Sequence, residues 1–325
     1  MSAPAPEFGS EFGAADLGAL HDLALSLAHE VRDAVRPGLG RPASRRAGGI
    51  APGGDVTMAI DEVAEDVIAQ RLEAVGDIAY YSEDRGTVRF GKPRAVFVID
   101  PIDGTRPAAA GFEACVVSIG VVPNEDSCFA DIAAGVIVEL TTGRAITARR
   151  GAGATIDGTP TAALVEPEDL GALFWGASQR ARPSVPVAIV LERLIDNSAM
   201  RGGYFDLGSA AYTMTRIVTG QLDAYVDPGA RMLADVPALE PRFREIAGGA
   251  FGTNYPYDVA AAYLIVQEAG GVVTAADGSP LDRLPVVGSG PGFHVSVVAS
   301  GGARTHSALI AEIDAGMSRL ARSFK

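Results

Sequence analysis

Ala95-Val96-Phe97-Val98-Ile99-Asp100-Pro101-Ile102-Asp103-Gly104-Thr105 is the stretch whose reading decides the fold. Its first five residues are apolar and bounded by turn residues, which reads as a buried strand. The strand ends on two carboxylates three residues apart, Asp100 and Asp103, with Pro101 and Gly104 shaping the turn. Such a turn can aim both carboxylates and the Ile102 carbonyl at one point. Gly104 lets the backbone come close to a ligand. This is a way to build a hard-cation site from oxygens, with amide donors beside it for an anion. Alone, the turn also fits a plain loop in which the aspartates only cap and turn.

The 325 residues allow a sizeable core and one or two domains. With 48% hydrophobic and 21% charged residues the chain is an ordinary soluble globular protein. A net charge of −13 argues against a nucleic-acid or anionic-membrane surface. It leaves room for an anionic small substrate, because bound divalent cations reverse the local potential. The two cysteines, Cys115 and Cys128, provide neither metal-ligand spacing nor a disulfide framework, so a reducing cytoplasm is expected. No apolar run reaches the length of a membrane span, and no secretion signal is seen.

Upstream of the turn, residues 1–15 resemble a tag or linker and are set aside. From Asp16, Leu17, Leu20, Ala24, Leu27, Val31 and Ala34 follow a helical period that Pro37-Gly38 stops. Arg36 to Gly54 reads as a loop leading to Asp55-Val56-Thr57. A second helix follows, with Asp61 suited to its N-cap and Glu65 in its first turn. Ile78 to Tyr81 reads as a short strand that ends on Ser82-Glu83-Asp84, a second acidic pair at a strand end.

Downstream, strands are expected at 115–122, 131–140 and 143–148. The second half reads as strand 173–176, helices 187–194 and 208–218, and strand 222–226. A long polar loop is expected from Asp227 to Tyr257, then a helix starting at Asp258, strands at 272–274 and 295–299, and a terminal helix near 304–322. The domain division is placed at 16–162 and 163–325. Alternating strands and helices predict an α/β (α+β) protein.

Glu83, Asp100, Asp103 and Asp258 thus sit at the ends of elements, with Asp55 as a fifth acidic point. Carboxylates repel one another, so convergence is favourable only with cations. Two or three Mg²⁺ ions would make such a cluster into a phosphoryl-transfer site. Asp100 to Thr105, together with Tyr257-Asp258-Val259-Ala260-Ala261-Ala262 and Gly270-Gly271 far downstream, resembles the two signatures of the inositol monophosphatase superfamily. Order and spacing agree, from Asp55–Asp61 through Ser82-Glu83-Asp84. Gly208-Ser209-Ala210-Ala211 and Leu222–Asp227 look like the archaeal-type branch, which includes fructose-1,6-bisphosphatases with inositol monophosphatase activity.

The resemblance implies an αβαβα layered sandwich of the sugar-phosphatase type, with two sheets between helix layers. It implies Mg²⁺-dependent hydrolysis of a small-molecule phosphate monoester by a cytoplasmic homodimer. Carried over by position, Glu83, Asp100, the Ile102 carbonyl, Asp103 and Asp258 would hold two or three Mg²⁺ ions. Glu83 and Thr105 would position the attacking water, and Asp55 would support Thr105. Gly104 and Thr105 amides would bind phosphate. Gly208 and Ser209, and at the departures from the family Arg106 and Arg231, are candidates for the substrate side. Three departures from the family stand out: Asp84 where a second Glu is usual, Arg106-Pro107 after the turn, and the length of the 227–257 connection. The last is expected to shape a pocket for a larger or less usual ester, a nucleotide or specialised metabolite included.

Three rival readings are weaker. A haloacid-dehalogenase turn has the two aspartates one residue closer and would make the first a covalent nucleophile. A non-catalytic metabolite-binding protein would not need a complete ligand set. A dinucleotide-binding fold lacks its glycine-rich opening.

Overall fold

A computed structural model of the chain describes residues 12–50 and 56–324. In chain order the first part comprises α1 (Ala14–Val35), the antiparallel pair β1 (Ala47–Ile50) and β2 (Val56–Met58), and α2 (Ala59–Val75). Then come β3 (Ala79–Ser82), β4 (Gly86–Arg89), β5 (Val96–Asp103), α3 (Thr105–Ala110), β6 (Val116–Val122), β7 (Ala134–Glu139), β8 (Ala145–Arg149), β9 (Ala154–Ile156) and β10 (Thr159–Pro160). The second part comprises β11 (Phe174–Ala177), α4 (Ser184–Ser198), β12 (Gly203–Phe205), α5 (Ala210–Val218), β13 (Ala224–Asp227), α6 (Gly229–Asp235), α7 (Glu240–Ile246) and α8 (Pro256–Glu268). It ends with β14 (Val272–Thr274), β15 (Val297–Ser300) and α9 (Ala303–Ser323).

β3 to β10 form one sheet in the order β10-β9-β8-β7-β6-β5-β3-β4. Only the β3–β5 pair in it is parallel. β11 to β15 form the second, ordered β12-β11-β13-β15-β14. Helices α1 and α2 cover the outer face of the large sheet, α5 and α8 lie between the sheets, and α4 and α9 cover the outer face of the small one. This is the expected αβαβα sandwich. The composition of each helix explains its layer. In α1 Leu17, Leu20, Ala24, Leu27, Val31 and Val35 are buried on one stripe, as suits a helix with one wet face. In α8 every residue from Val259 to Val266 is buried, as suits a helix covered on both sides.

The packing of α8 on the large sheet is backbone-close. A Cβ added to Gly135 of β7 would lie 2.6 Å from the Ala261 carbonyl oxygen, and one added to Gly120 of β6 would lie 3.2 Å from Ala260 Cβ. Strands of the large sheet all precede residue 163 and those of the small sheet all follow it. The two share one core all the same, since residues of α5 and α8 pack with those of β5 to β9.

Three sequence expectations are corrected. The 227–257 connection is not a bare loop; it holds α6 and α7. Met232, Val236, Leu239 and Phe243 are buried there against α4 and α9. Asp61 is not an N-cap. Met58 holds that place, and Asp61, inside the helix, accepts the Met58 N–H at 2.6 Å. The Arg36–Gly54 segment contains two short 3-10 turns and β1.

Glu65 is also more than first-turn charge. It is 1% exposed, with Arg85 Nε 3.6 Å away. Burial pushes its carboxyl up to about 7, outweighing the nearby Ser82 hydroxyl and the Arg85 charge. A carboxyl raised on folding stabilises the fold below its unfolded pKa, and that contribution is lost as pH rises through about 7. Thermal midpoints of the native protein should therefore fall between pH 5 and 8. The neutral Glu65→Gln variant should fall less over that range, since the Asp100, Asp103 and Asp258 carboxyls still titrate above their usual values, and exceed the native protein at pH 8 by about 1–3 kcal/mol. Parallel pH profiles for the two proteins would remove Glu65 as the source.

Candidate active site

The site starts at the C-terminal end of β5. Asp100 pairs with Ser118 on β6, but Asp103 pairs with Val116, so β5 carries one extra residue between them. In a regular strand positions three apart face opposite sides. The extra residue restores a common side, which is how a bulge re-aims side chains. Gly104 follows at φ 93°, ψ 40° and caps α3. Its missing Cβ would stand 2.4 Å from the Ala114 carbonyl oxygen.

Each carboxylate is held by a different element. Asp100 Oδ1 accepts the Ile102 N–H at 3.0 Å. Asp103 Oδ2 accepts the Ser209 hydroxyl and the Ala211 N–H, both at 2.6 Å, at the start of α5. Asp258, the third residue of α8 and not its first, accepts the Tyr255 N–H at 2.5 Å. Thr105 Oγ1 donates to the Ile102 carbonyl at 3.1 Å. Oxygens of Asp100, Asp103 and Asp258 all lie within 4.8 Å of one another.

Burial, together with Glu83, Asp103 and Asp258, drives the Asp100 carboxyl well above the usual carboxylate range. Burial and Asp103 raise Asp258 to about 8 against the opposing Tyr255 N–H and Arg180. Burial raises Asp103 to about 6, restrained by its bonds from Ser209 and the start of α5. A cluster that resists carrying its own charge is suited to a cation that restores it. The donors are all oxygen, which matches a hard divalent ion such as Mg²⁺.

These groups line a cavity of about 30 Å³ formed by Glu83, Asp100, Ile102, Asp103, Gly104, Thr105, Arg106, Arg180, Gly208 and Asp258. A second cavity of about 380 Å³ shares Glu83, Arg106, Arg180 and Asp258. Its other walls include Ala181, Ile246, Phe251, Thr253, Tyr255 and Tyr257. The Phe251 ring is fixed by the Arg244 guanidinium 4.2 Å from its centroid and by His294 edge-on at 5.2 Å.

Most of the residues expected from sequence meet here. Ser209 stands behind Asp103 and not on the cavity wall. Arg231 is a correction. Its guanidinium is engaged by Asp314 at 2.6 Å, Asp235 at 3.1 Å and the Ala276 carbonyl at 2.8 Å, and it lines neither cavity. Asp55 lies outside the described residues. Asp84 accepts a hydrogen bond from Thr57 Oγ1 and is absent from the cavity walls. Arg180, Arg182 and Phe251 carried no sequence signal: Arg182 is held by Asp227 and Asn254 and Phe251 by His294, all far off in the chain.

A layered fold that brings three carboxylates and a glycine turn to one cleft, with an adjoining cavity of substrate size, agrees with a phosphomonoesterase. The chain belongs to the inositol monophosphatase family, whose model matches residues 16–316. It is 26% identical over 305 residues to the fructose-1,6-bisphosphatase/inositol-1-monophosphatase of Methanothermobacter thermautotrophicus, covering 90% of this chain and 95% of that one. It is also 26% identical to the bifunctional NADP phosphatase/NAD kinase of Methanococcus maripaludis, there covering 90% of this chain and 52% of the relative. Among solved structures, the extragenic suppressor protein SuhB of Bartonella henselae superposes with a TM-score of 0.70 at 19% identity, covering 91% of this chain and 98% of that one. The Thermotoga maritima IMPase gives 0.67 at 20%, covering 92% and 98%. Among the described residues no helix is long and apolar enough to cross a membrane.

Proposed function

We propose that the protein is a Mg²⁺-dependent phosphomonoesterase acting on a small phosphate ester of the inositol or sugar type. The observation that carries this reading is the convergence of the Asp100, Asp103 and Asp258 carboxylates within 4.8 Å in a cleft that adjoins a 380 Å³ cavity. Glu83, Asp100, Asp103, Asp258 and the Ile102 carbonyl would hold two or three cations. When bound, such ions neutralise phosphoryl charge and make water a stronger acid.

The chain's own groups do the rest. Thr105 Oγ1 gives its hydrogen to the Ile102 carbonyl and so keeps lone pairs to accept from a water. Glu83, on the same wall, is the second group placed to orient that water and take its proton. The Gly104 and Thr105 amides stand at the opening of α3 and can donate to phosphate oxygens. Arg106 and Arg180 line both cavities and favour an anion between them. The ester body then occupies the larger cavity.

A second reading keeps the chemistry and changes the body to a nucleotide. The aromatic wall of Phe251 and Tyr255 favours it, as does the NADP phosphatase named among the relatives. The enzyme is further taken to be a cytoplasmic homodimer, which light scattering and fractionation would check.

The deciding experiment is a phosphate-release panel over an inositol phosphate, a sugar bisphosphate and a nucleoside monophosphate, with Mg²⁺ and with or without lithium. Turnover should vanish after chelation and return with Mg²⁺. Full activity in chelated, desalted enzyme would refute the metal dependence, and no turnover of any ester would refute the function.

A further inference from the structure

Three segments meet behind the wall of the larger cavity. The Ser178–Pro183 segment leaves β11, Asp227 ends β13, and Asn254 precedes the N-cap of α8. Arg182 joins them and is 7% exposed. Its Nε donates to Asp227 Oδ1 at 3.1 Å, and its Nη2 donates to Asp227 Oδ2 and to Asn254 Oδ1, the latter at 3.2 Å. Its Nη1 donates to the Arg180 carbonyl at 2.8 Å. The Tyr225 hydroxyl ties the same segments, 2.8 Å from Ser178 Oγ and 3.2 Å from Asn254 Nδ2.

A buried ion pair is a weak source of stability, because desolvation offsets most of its attraction. It is a strong source of fixed geometry. What this one fixes is a strained turn. Ala181 has φ 56°, a left-handed conformation that penalises any residue with a Cβ. Such strain persists where the surroundings impose it, and it gathers at functional sites. Here the Arg182 grip on the Arg180 carbonyl imposes it from one side. Gly252 leaves room for it on the other, for a Cβ added there would fall 2.2 Å from Ala181 Cβ. The residue presented by this turn is Arg180, which lines both the acidic cleft and the larger cavity.

We propose that the strained Ala181 turn and its buried Arg182 clamp are a positioning device for Arg180, which binds the anionic ester where the two cavities meet. Ala181 and Arg182 touch no reacting atom and act through Arg180. A long arginine side chain loses much freedom on binding, and a fixed backbone beneath it lowers that cost. Its planar fork matches phosphate or carboxylate oxygens in pairs. The proposal rests on the phosphomonoesterase reading of the site.

The test is steady-state kinetics of the full-length, Mg²⁺-supplied enzyme on the best ester of the panel. Arg180→Ala should raise KM about tenfold with a smaller change in kcat. Arg182→Lys, which keeps the charge and loses the fork, should do likewise. Ala181→Gly is the sharper variant. It relieves the strain, so the thermal midpoint should hold or rise, yet KM should rise severalfold. The effects should not multiply, and Arg180→Ala combined with Ala181→Gly should stay within about twofold of Arg180→Ala alone. A native KM in Ala181→Gly, or multiplied effects in the double variant, would overturn the proposal. Should Arg182→Lys fail to accumulate, Ala181→Gly carries the test by itself. A native enzyme that turns over no ester overturns the phosphomonoesterase reading and this proposal together, a result distinct from an active enzyme with an unchanged KM.

Discussion

Asp100→Asn should abolish turnover of every phosphate ester while leaving the metal-free protein at least as stable as the native one. The two halves of this result come from the same fact. Asp100 is 2% exposed, and burial, Glu83, Asp103 and Asp258 all disfavour its negative charge. In the metal-free protein its ionised carboxylate is a liability that the amide removes. Asparagine also keeps an oxygen to accept the Ile102 N–H, so the turn need not move. Activity has the opposite dependence. A cation site that loses one of its buried carboxylates loses several kcal/mol of charge stabilisation, about a thousandfold or more in rate. Phosphate release and thermal midpoints, each with and without Mg²⁺, separate the two effects. Added Mg²⁺ should raise the native midpoint by more than that of the variant, because a ligand stabilises the form that binds it. Retention of more than about a tenth of the activity would remove Asp100 from the reaction, since a ligand is worth far more than tenfold.

Gly104→Ala should damage both the fold and the site. The residue sits at φ 93°, where an alanine is strained. Its Cβ would also fall 2.4 Å from the Ala114 carbonyl oxygen and 3.0 Å from Ser209 Cβ. A backbone oxygen cannot swing aside as a side chain does. Either the turn after β5 or the chain entering β6 must shift. A shift of the turn carries Asp103 and Thr105 with it, and a misplacement near 1 Å costs on the order of a hundredfold in rate. The expected result is a loss of about 2–4 kcal/mol in stability by denaturant titration, with activity reduced at least a hundredfold. An alanine variant of near-native stability and rate would show that the turn is more pliant than its geometry requires.

What could be read from the residues, and what could not, divides along the distance between partners. The β5 run, the α1 stripe and the apolar α8 are local patterns, and each was expected close to where it lies. The convergence of Asp100 with Asp103 was legible too, because both sit on one turn, although the extra residue that turns them to one side was not. Helices α6 and α7 were taken for a loop. Pro228, Gly229, Pro237 and Pro241 punctuate that stretch, and helices of seven residues span under two turns, too few for their period to stand out. Their stability comes from Met232 and Phe243 docking into a core built elsewhere. Arg231 was misassigned because a cation in a loop before Asp258 looks like a substrate contact. Its principal anionic partner, Asp314, lies on α9. Arg182 was invisible for the same reason, with partners 45 and 72 residues away.

The contact of α8 with Gly120 and Gly135 has a consequence for how such an enzyme can change over time. Asp258 hangs from the first turn of that helix, two residues before Ala260. The gap between helix and sheet therefore sets how far Asp258 stands from Asp100 and Asp103. The three carboxylates themselves have almost no room to vary. A methyl group at Gly120, where the fit is tight by only tenths of an ångström, would act as a shim under the helix. Variation in the affinity of the acidic cleft should then be sought in the glycines beneath α8, at positions no ion or substrate ever meets.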